Sequence, residues 1–422
     1  LGTGPILRQT QDDGLFGGQV FSISGGQLYG GTTLIGSIPY GQNPRMDATN
    51  TQLGIVSGGA LYCYNGSTLS LVEFFDDGVS KLPPFSAICQ LYNIWLLAVA
   101  GTNQFFFSKA GDLTSINAAN FSQAQTSPGP IVELAVLAEE VYIVKTDANE
   151  IWDYTGALTA PFAEALGRTY IRGSVSQGTV VTKLDNALFW VGDDLFVYRS
   201  GAVPEKISNS YLDDILHSNA ANASQFTALK IGITGHWFYV LNIPTQGENG
   251  KTYTYDCSNK EWQEWGSQYD FASDVGQYLG QCAAGPGQSG TVWVGSASDG
   301  RVWTVDTTNQ TDDGAARQVV CAAAIWVSEG TTRLNNVVLA CARGVGNSLS
   351  PAPVARLRLS YDGNRTWTSW FAGQISPVGE YAWKAVWRAL GLIQQPGVGL
   401  EFQVLDPVLT AIEGGAWNTS RP

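Results

Sequence analysis

Histidine and methionine are almost missing: two His (His217, His236) and one Met (Met46) occur in 422 residues. Two isolated histidines give little footing to a Ser-His-Asp triad. Charge is also sparse, at 14% of residues against roughly 25% in ordinary globular chains. Only 23 Lys and Arg oppose 36 Asp and Glu, a net charge of −13. That balance excludes a uniformly basic surface gripping DNA, which needs clustered Lys and Arg. An acidic surface that DNA slides past stays open, because like charge suppresses sticking. No apolar run approaches the ~18 residues of a membrane-spanning helix, and no charged-then-apolar leader opens the chain. The chain begins at Leu1 rather than Met, so residues upstream of it are expected.

The six cysteines (63, 89, 257, 282, 321 and 341) form no CxxC and have no histidine at zinc spacing. Cys63, Cys89 and Cys341 sit in apolar, strand-like runs, where a thiol acts as a small hydrophobe. Buried free thiols in a protein assembled in cytoplasm are the expectation, with disulfides the lesser alternative. No nucleophile elbow, HExxH, Walker A or dinucleotide fingerprint occurs, so no catalytic, cofactor-binding or metal-ligating residue is predicted.

What the chain has is glycine and aromatics: 49 Gly, 17 Tyr, 17 Phe and 14 Trp. Ala187 to Ile207 shows how they are used. Ala187–Val191 is apolar, Gly192-Asp193-Asp194 turns the chain, Leu195–Tyr198 starts a second strand, Arg199-Ser200-Gly201 turns it again, and Ala202–Ile207 runs on extended. This is a β-meander phrase. It recurs at anchors Phe21, Tyr62, Trp95, Tyr142, Phe189, Phe238 and Trp293, with steps of 41, 33, 47, 47, 49 and 55 residues. A period in the forties built of strands predicts an all-β fold, a β-propeller of six or seven irregular blades. A stack of β-sandwiches is the rival topology. The boundaries predicted are an irregular segment over 1–18, the propeller over 19–308, a linker over 309–316 and a β-sandwich-like domain over 317–422. Strands are expected there at 319–327, 336–342, 355–360, 367–371, 382–390 and 399–405. One short helix is expected near 208–218, because Leu212, Ile215 and Leu216 share a face and Ser208 or Asn209 can cap it.

Two features invite a chemical reading. Ser360-Tyr361-Asp362-Gly363-Asn364-Arg365-Thr366-Trp367 resembles the Asp-box S-x-D-x-G-x-T-W. Ser360, Asp362, Gly363, Asn364, Thr366 and Trp367 would form it as a structural hairpin, its usual role in sialidases. Asp-Asp pairs at 12–13, 76–77, 193–194, 213–214 and 312–313 are not set in calcium loops. Neighbours on a strand point to opposite faces, so a pair alone is not an acid/base couple. Solvated turns are expected. Among basic residues, Arg356, Arg358 and Arg365 are the apparent cluster.

The run Ala138 to Val144 with Glu150 to Ala157 resembles a segment of the packaged-DNA stabilisation proteins of short-tailed phages, their tail hub or nozzle proteins. The order continues in the same way through Gly173–Val175, Leu188–Tyr198 and Asp214–Leu216, and closes with Trp387–Gly391 and Gly399–Val404. The resemblance implies a non-enzymatic virion protein, made and assembled in the host cytoplasm, with a propeller body. It implies a ring, typically a homohexamer, below the portal and its adaptor. Such a ring would extend the channel, retain packaged DNA until a needle or plug opens, and carry fibres or spikes. DNA would pass through it without sequence-specific binding. Two other functions remain open: a tail-associated glycosidase or sialidase-like propeller, and a carbohydrate-binding propeller using Trp262 and Trp265.

Overall fold

A strand such as Ile94–Val99, buried at every position, needs apolar cover on both faces. The computed structural model shows how the chain supplies it; it describes all residues except 39–42, 158–159, 176–179, 202, 248, 268–275, 288–289, 376, 383 and 421–422. Two units are present: Leu1–Gly266 with Asp274–Val305, and Ser267–Ser273 with Asp306–Pro422.

The first unit strings together seven antiparallel sheets in chain order, here I to VII. Their first strands are Ile6–Thr10, Arg45–Ala48, Phe85–Leu91, Ile131–Leu137, Thr182–Leu184, Thr227–Ile233 and Gly280–Ala284. Six sheets have four strands and VII has three among the described residues, each strand pairing with the next in sequence. Short turns make this possible: Asn65 Oδ1 accepts from the Ser67 and Thr68 N–H groups, and Gly66 takes φ +91°.

Alternation then splits each strand between two cores. In Ala187–Val191, Leu188 and Trp190 join Tyr142, Val144 and Ile151 of sheet IV. Phe189 and Val191 join Tyr239, Leu241 and Tyr255 of sheet VI. The same division puts Trp95 and Leu97 against sheet II but Leu96 and Ala98 against sheet IV. A period of two with apolar neighbours on both sides reads in sequence as one continuous apolar run. Further cores lie between I and II and between VI and VII. The seventh sheet meets the first, with Cys282 Sγ donating to the Ile6 carbonyl at 3.1 Å. The first strands of consecutive sheets touch from I to IV, from V to VII, and again from VII to I. Between IV and V, the Ser174 N–H donates to the Lys145 carbonyl at 2.8 Å.

Six of the seven sequence anchors lie on the second strand of their sheets; Tyr62 lies on a third strand, which accounts for the uneven first steps. The expectation of an irregular segment over 1–18 is corrected. Ile6–Thr10 pairs with Phe21–Ser24, and the polar Arg8, Gln9 and Thr10 had hidden it. Residues 309–316 are not a plain linker either, since Thr311–Asp312 pairs with Ala315–Ala316. The helix runs Ser210–Ser218, with Asn209 Oδ1 accepting from the Leu212 N–H at 2.9 Å. Of the stretches discussed from sequence, Ala202 and Trp383 lie outside the described residues.

Besides the short Thr311–Asp312 and Ala315–Ala316 pair, the second unit has two sheets around one core that includes Leu339, Leu357, Trp387 and Phe402. One orders Val319–Trp326, Gly397–Val404, Val354–Ser360 and Phe371–Gln374; the other orders Ala385–Gln394, Thr331–Cys341 and Ile412–Ser420. A strand over 367–371 is corrected: it starts at Phe371, because Trp367 and Trp370 are turned onto Arg358 instead. The strand Ile412–Ser420 was not expected, being polar and almost wholly exposed.

Candidate functional site

Asp362 and one member of each Asp-Asp pair are occupied by local structure. Asp362 Oδ1 accepts from the Ser360 hydroxyl and from the Arg365 and Thr366 N–H groups; Oδ2 takes the Thr366 hydroxyl at 2.6 Å. Those hydrogen bonds hold its carboxyl down to about 2. Gly363 and Asn364 take φ +74° and +66°, the turn geometry these residues tolerate. Trp367 and Trp370 flank the Arg358 guanidinium at 4.9 and 4.7 Å, and Arg358 also pairs with Glu401 at 2.7 Å.

The Asp-Asp pairs divide into turn and clamp roles. Asp12 accepts from the Gly14 N–H, and Asp77 from the Val79 and Ser80 N–H groups. Asp194 accepts from the Tyr198 hydroxyl at 2.6 Å and pairs with Arg172 at 3.2 Å. Asp213 pairs with Lys206 at 2.7 Å, and Asp312 accepts from the Ser267 hydroxyl at 2.8 Å. His236 faces Asp256 at 3.2 Å, while His217 bonds the Asp213 carbonyl, so each histidine has its own local partner. All six thiols are free. Burial pushes Cys63 up to about 11 and Cys282 up to about 12, which keeps them protonated and unreactive near neutral pH.

A cleft of about 590 Å³ lies beside sheets IV and V, lined by Gly167–Arg172, Tyr198, Val203, Pro204 and Lys206. Its cations are already matched. Arg168 makes a two-pronged pair with Glu140, Arg172 meets Asp194, and Lys206 lies 3.8 Å over the Phe196 ring. Burial and the hydrogen bond to Asp194 push Tyr198 up to about 12, so the cleft holds a neutral phenol rather than a phenolate. Leu166, Ile171 and Val203 stand exposed beside it. Apolar side chains among neutralised ion pairs suit the docking of another surface.

A second constellation went unseen in the sequence because its members are scattered singly along the chain. Six charged side chains sit on first strands: Arg8 (sheet I), Arg45 and Asp47 (II), Glu133 (IV), Lys183 (V) and Lys230 (VI). Arg45 reaches from sheet II to Glu133 of sheet IV at 2.5 Å, both side chains almost fully covered. Asp47 accepts from the Ala48 N–H at 2.9 Å and from Gln90 of sheet III at 2.8 Å. Burial pushes Asp47 up to about 6, while those hydrogen bonds and the charge of Lys183 pull it down. Burial lowers Arg8, helped by Arg45, and lowers Lys230, helped by Lys183 and Arg8. Side chains of sheets I, II, IV, V and VI therefore feel one another's charge, as they must if the first strands converge. The visible signal was a lone charge inside an apolar strand, as in Ile131–Leu137 and Thr227–Ile233. The sequence cluster Arg356, Arg358 and Arg365 is less of a unit, with Arg358 tied to Glu401 and the two tryptophans.

The Phage_stabilise family, described as "Bacteriophage P22 Gp10, beta-propeller", matches residues 13–310. The chain belongs to this family. The family match spans sheets II to VII and most of sheet I, the part of the chain in which the seven sheets follow one another. Among solved structures, the chain is similar to PorZ of the type-IX secretion system of Porphyromonas gingivalis, at 13% identity and TM-score 0.41, over 88% of this chain and 46% of that one. It is similar to the extracellular domain of BT4673 from B. thetaiotaomicron, at 9% identity and TM-score 0.46, over 92% and 47%. It is also similar to Raptor of Chaetomium thermophilum, at 11% identity and TM-score 0.44, over 72% and 28%. This chain thus spans less than half the length of each of these three proteins. No curated protein sequence matches it. As a member of the Phage_stabilise family, the chain is a β-propeller protein of the phage virion, of the P22 Gp10 type.

Proposed function

We propose that this virion protein assembles with copies of itself into the ring-shaped tail hub or nozzle of a short-tailed phage. The ring, of six copies, stands below the portal and adaptor, extends the DNA channel, helps retain packaged DNA and opens for ejection when the needle or plug leaves. The family match over residues 13–310 carries this reading. Two features of the chain support it. The net charge of −13 suits a conduit to which DNA does not stick. The cleft at sheets IV and V has exposed Leu166, Ile171 and Val203 among matched ion pairs, a surface suited to a neighbouring copy or a fibre.

Native mass measurement and negative-stain imaging of the purified protein, alone and mixed with its portal–adaptor partners, test the reading. Rings of uniform copy number, formed alone or on the adaptor, are expected. A chain that stays monomeric under both conditions overturns it.

A further inference from the structure

We infer that the outer face of the sheet Ala385–Gln394, Thr331–Cys341 and Ile412–Ser420 is a docking surface for the acidic exterior of a second copy of this chain. Alternation gives that sheet two unlike faces. Leu334, Val337 and Leu339, with Ala385, Trp387 and Ile393, belong to the core of the second unit. Register sets the opposite residues side by side: Arg333 across from Leu392, Asn336 from Arg388, and Val338 from Val386 and Ala416. Arg333, Arg388 and Leu392 are exposed, Leu392 by 49%. Lys384 and Arg343 line a groove of about 320 Å³ on this face together with Val338, Ala340, Gly414 and Ala416.

The face is basic and unmatched. Arg333, Lys384 and Arg388 hold no hydrogen bond or ion pair among the described residues, whereas Arg168, Arg172 and Lys206 at the cleft each meet a carboxylate. Arg343 donates to the Tyr381 carbonyl at 3.3 Å. The three strands carry one carboxylate, Glu413, in the bulge beside the pairing of Cys341 with Ile412. Apolar side chains set among arginines are the composition of a protein interface. Complementary potential then requires an acidic partner. The chain itself, at −13, is one. This inference rests on the proposed ring and names one contact within it. Three strands of nine to eleven residues, about 4.8 Å apart, give a face of roughly 400 Å². That is about half of what one side of a standard interface buries, so the face serves as one of several contacts between copies. Duplex DNA fits it less well, since firm binding draws on about six to ten phosphate contacts.

The test is sedimentation velocity of the full chain over a concentration series, at low and high salt. The native chain is expected to self-associate, and to do so less as salt rises. Lys384→Glu combined with Arg388→Glu is expected to raise the concentration at half-assembly by about tenfold or more. Lys81→Glu combined with Lys260→Glu makes the same charge change at exposed positions elsewhere and is expected to leave that concentration unchanged. Equal weakening by both pairs would mean general electrostatics and overturns the inference. So does native-like assembly of the first pair, a result that leaves the ring itself standing. A native chain that stays monomeric alone also overturns it, and whether rings then form on the adaptor decides the ring reading separately. If circular dichroism shows that the first pair does not fold, Arg333→Glu replaces it. An increase of about threefold or more is expected from that single reversal, and no increase overturns the inference.

Discussion

Phe189, Trp190, Asp193 and Asp47 show how differently neighbouring or similar residues can count. Phe189 and Trp190 are both fully buried, yet they belong to different cores. Phe189 stacks on Tyr239 of sheet VI at 5.5 Å, while Trp190 packs toward sheet IV and donates through Nε1 to the Gly173 carbonyl at 3.2 Å. Replacing either by Ala opens a cavity between two sheets, at a cost of about 3–5 kcal/mol. Asp193, three residues beyond Trp190, is exposed in the turn, and Asp193→Asn is expected to change stability by less than about 0.5 kcal/mol. Urea unfolding of the three variants checks both statements. Asp47 makes a different prediction. Its carboxyl is raised to about 6 in the folded chain against an ordinary value near 3.8. The folded state therefore takes up the proton before the unfolded state as pH falls, and this one group adds stability between about pH 6 and pH 4. Asp362, held down to about 2, works in the opposite direction and loses its contribution in stronger acid. The difference in unfolding midpoint between the native chain and Asp47→Asn should move in favour of the native chain from pH 7 to pH 5. A difference flat across that range would show that Asp47 is not held in a desolvated place.

At the scale of elements, the helix Ser210–Ser218 depends on its N-terminal end. Asn209 accepts from the Leu212 N–H, and Leu212, Ile215 and Leu216 bury one face in the core shared by sheets V and VI. Asn209→Ala is expected to cost about 1 kcal/mol, read as a lower urea midpoint with an unchanged denaturant slope. The sequence made this helix legible because its apolar spacing and its cap agree. It made second strands legible for a similar reason: Trp95, Tyr142 and Phe189 lie in runs buried on both faces, and such runs stay apolar throughout. First strands were harder. Ile6–Thr10 and Arg45–Ala48 carry Arg8, Arg45 and Asp47, which meet charges from distant sheets that local pattern cannot reveal. The strand Ile412–Ser420 is an exposed edge with little apolar content, and pairing with Thr331–Cys341 is what makes it a strand. The turn at Ser360–Trp367 was readable because all its bonds are local. The convergent charges were not, because they lie in five separate sheets.

For the whole molecule, the distribution of charge matters more than its total. The chain carries −13, while the first strands gather four cations and two carboxylates. The remainder is therefore more acidic than the total suggests. DNA binding by phosphate neutralisation requires exposed cations, and each one engaged steepens the salt dependence of affinity. Of the exterior cations around the large cleft, Arg168, Arg172 and Lys206 are each countered by a carboxylate. The purified protein is accordingly expected to leave the fluorescence anisotropy of labelled duplex DNA unchanged at low salt, where electrostatic binding is strongest. Replacing exposed carboxylates of the turns, such as Asp77 and Asp193, by Lys should create weak binding that disappears as salt is raised. Tight binding by the native chain, falling steeply with salt, would reveal a continuous basic path and defeat the idea of an acidic conduit through which DNA slides.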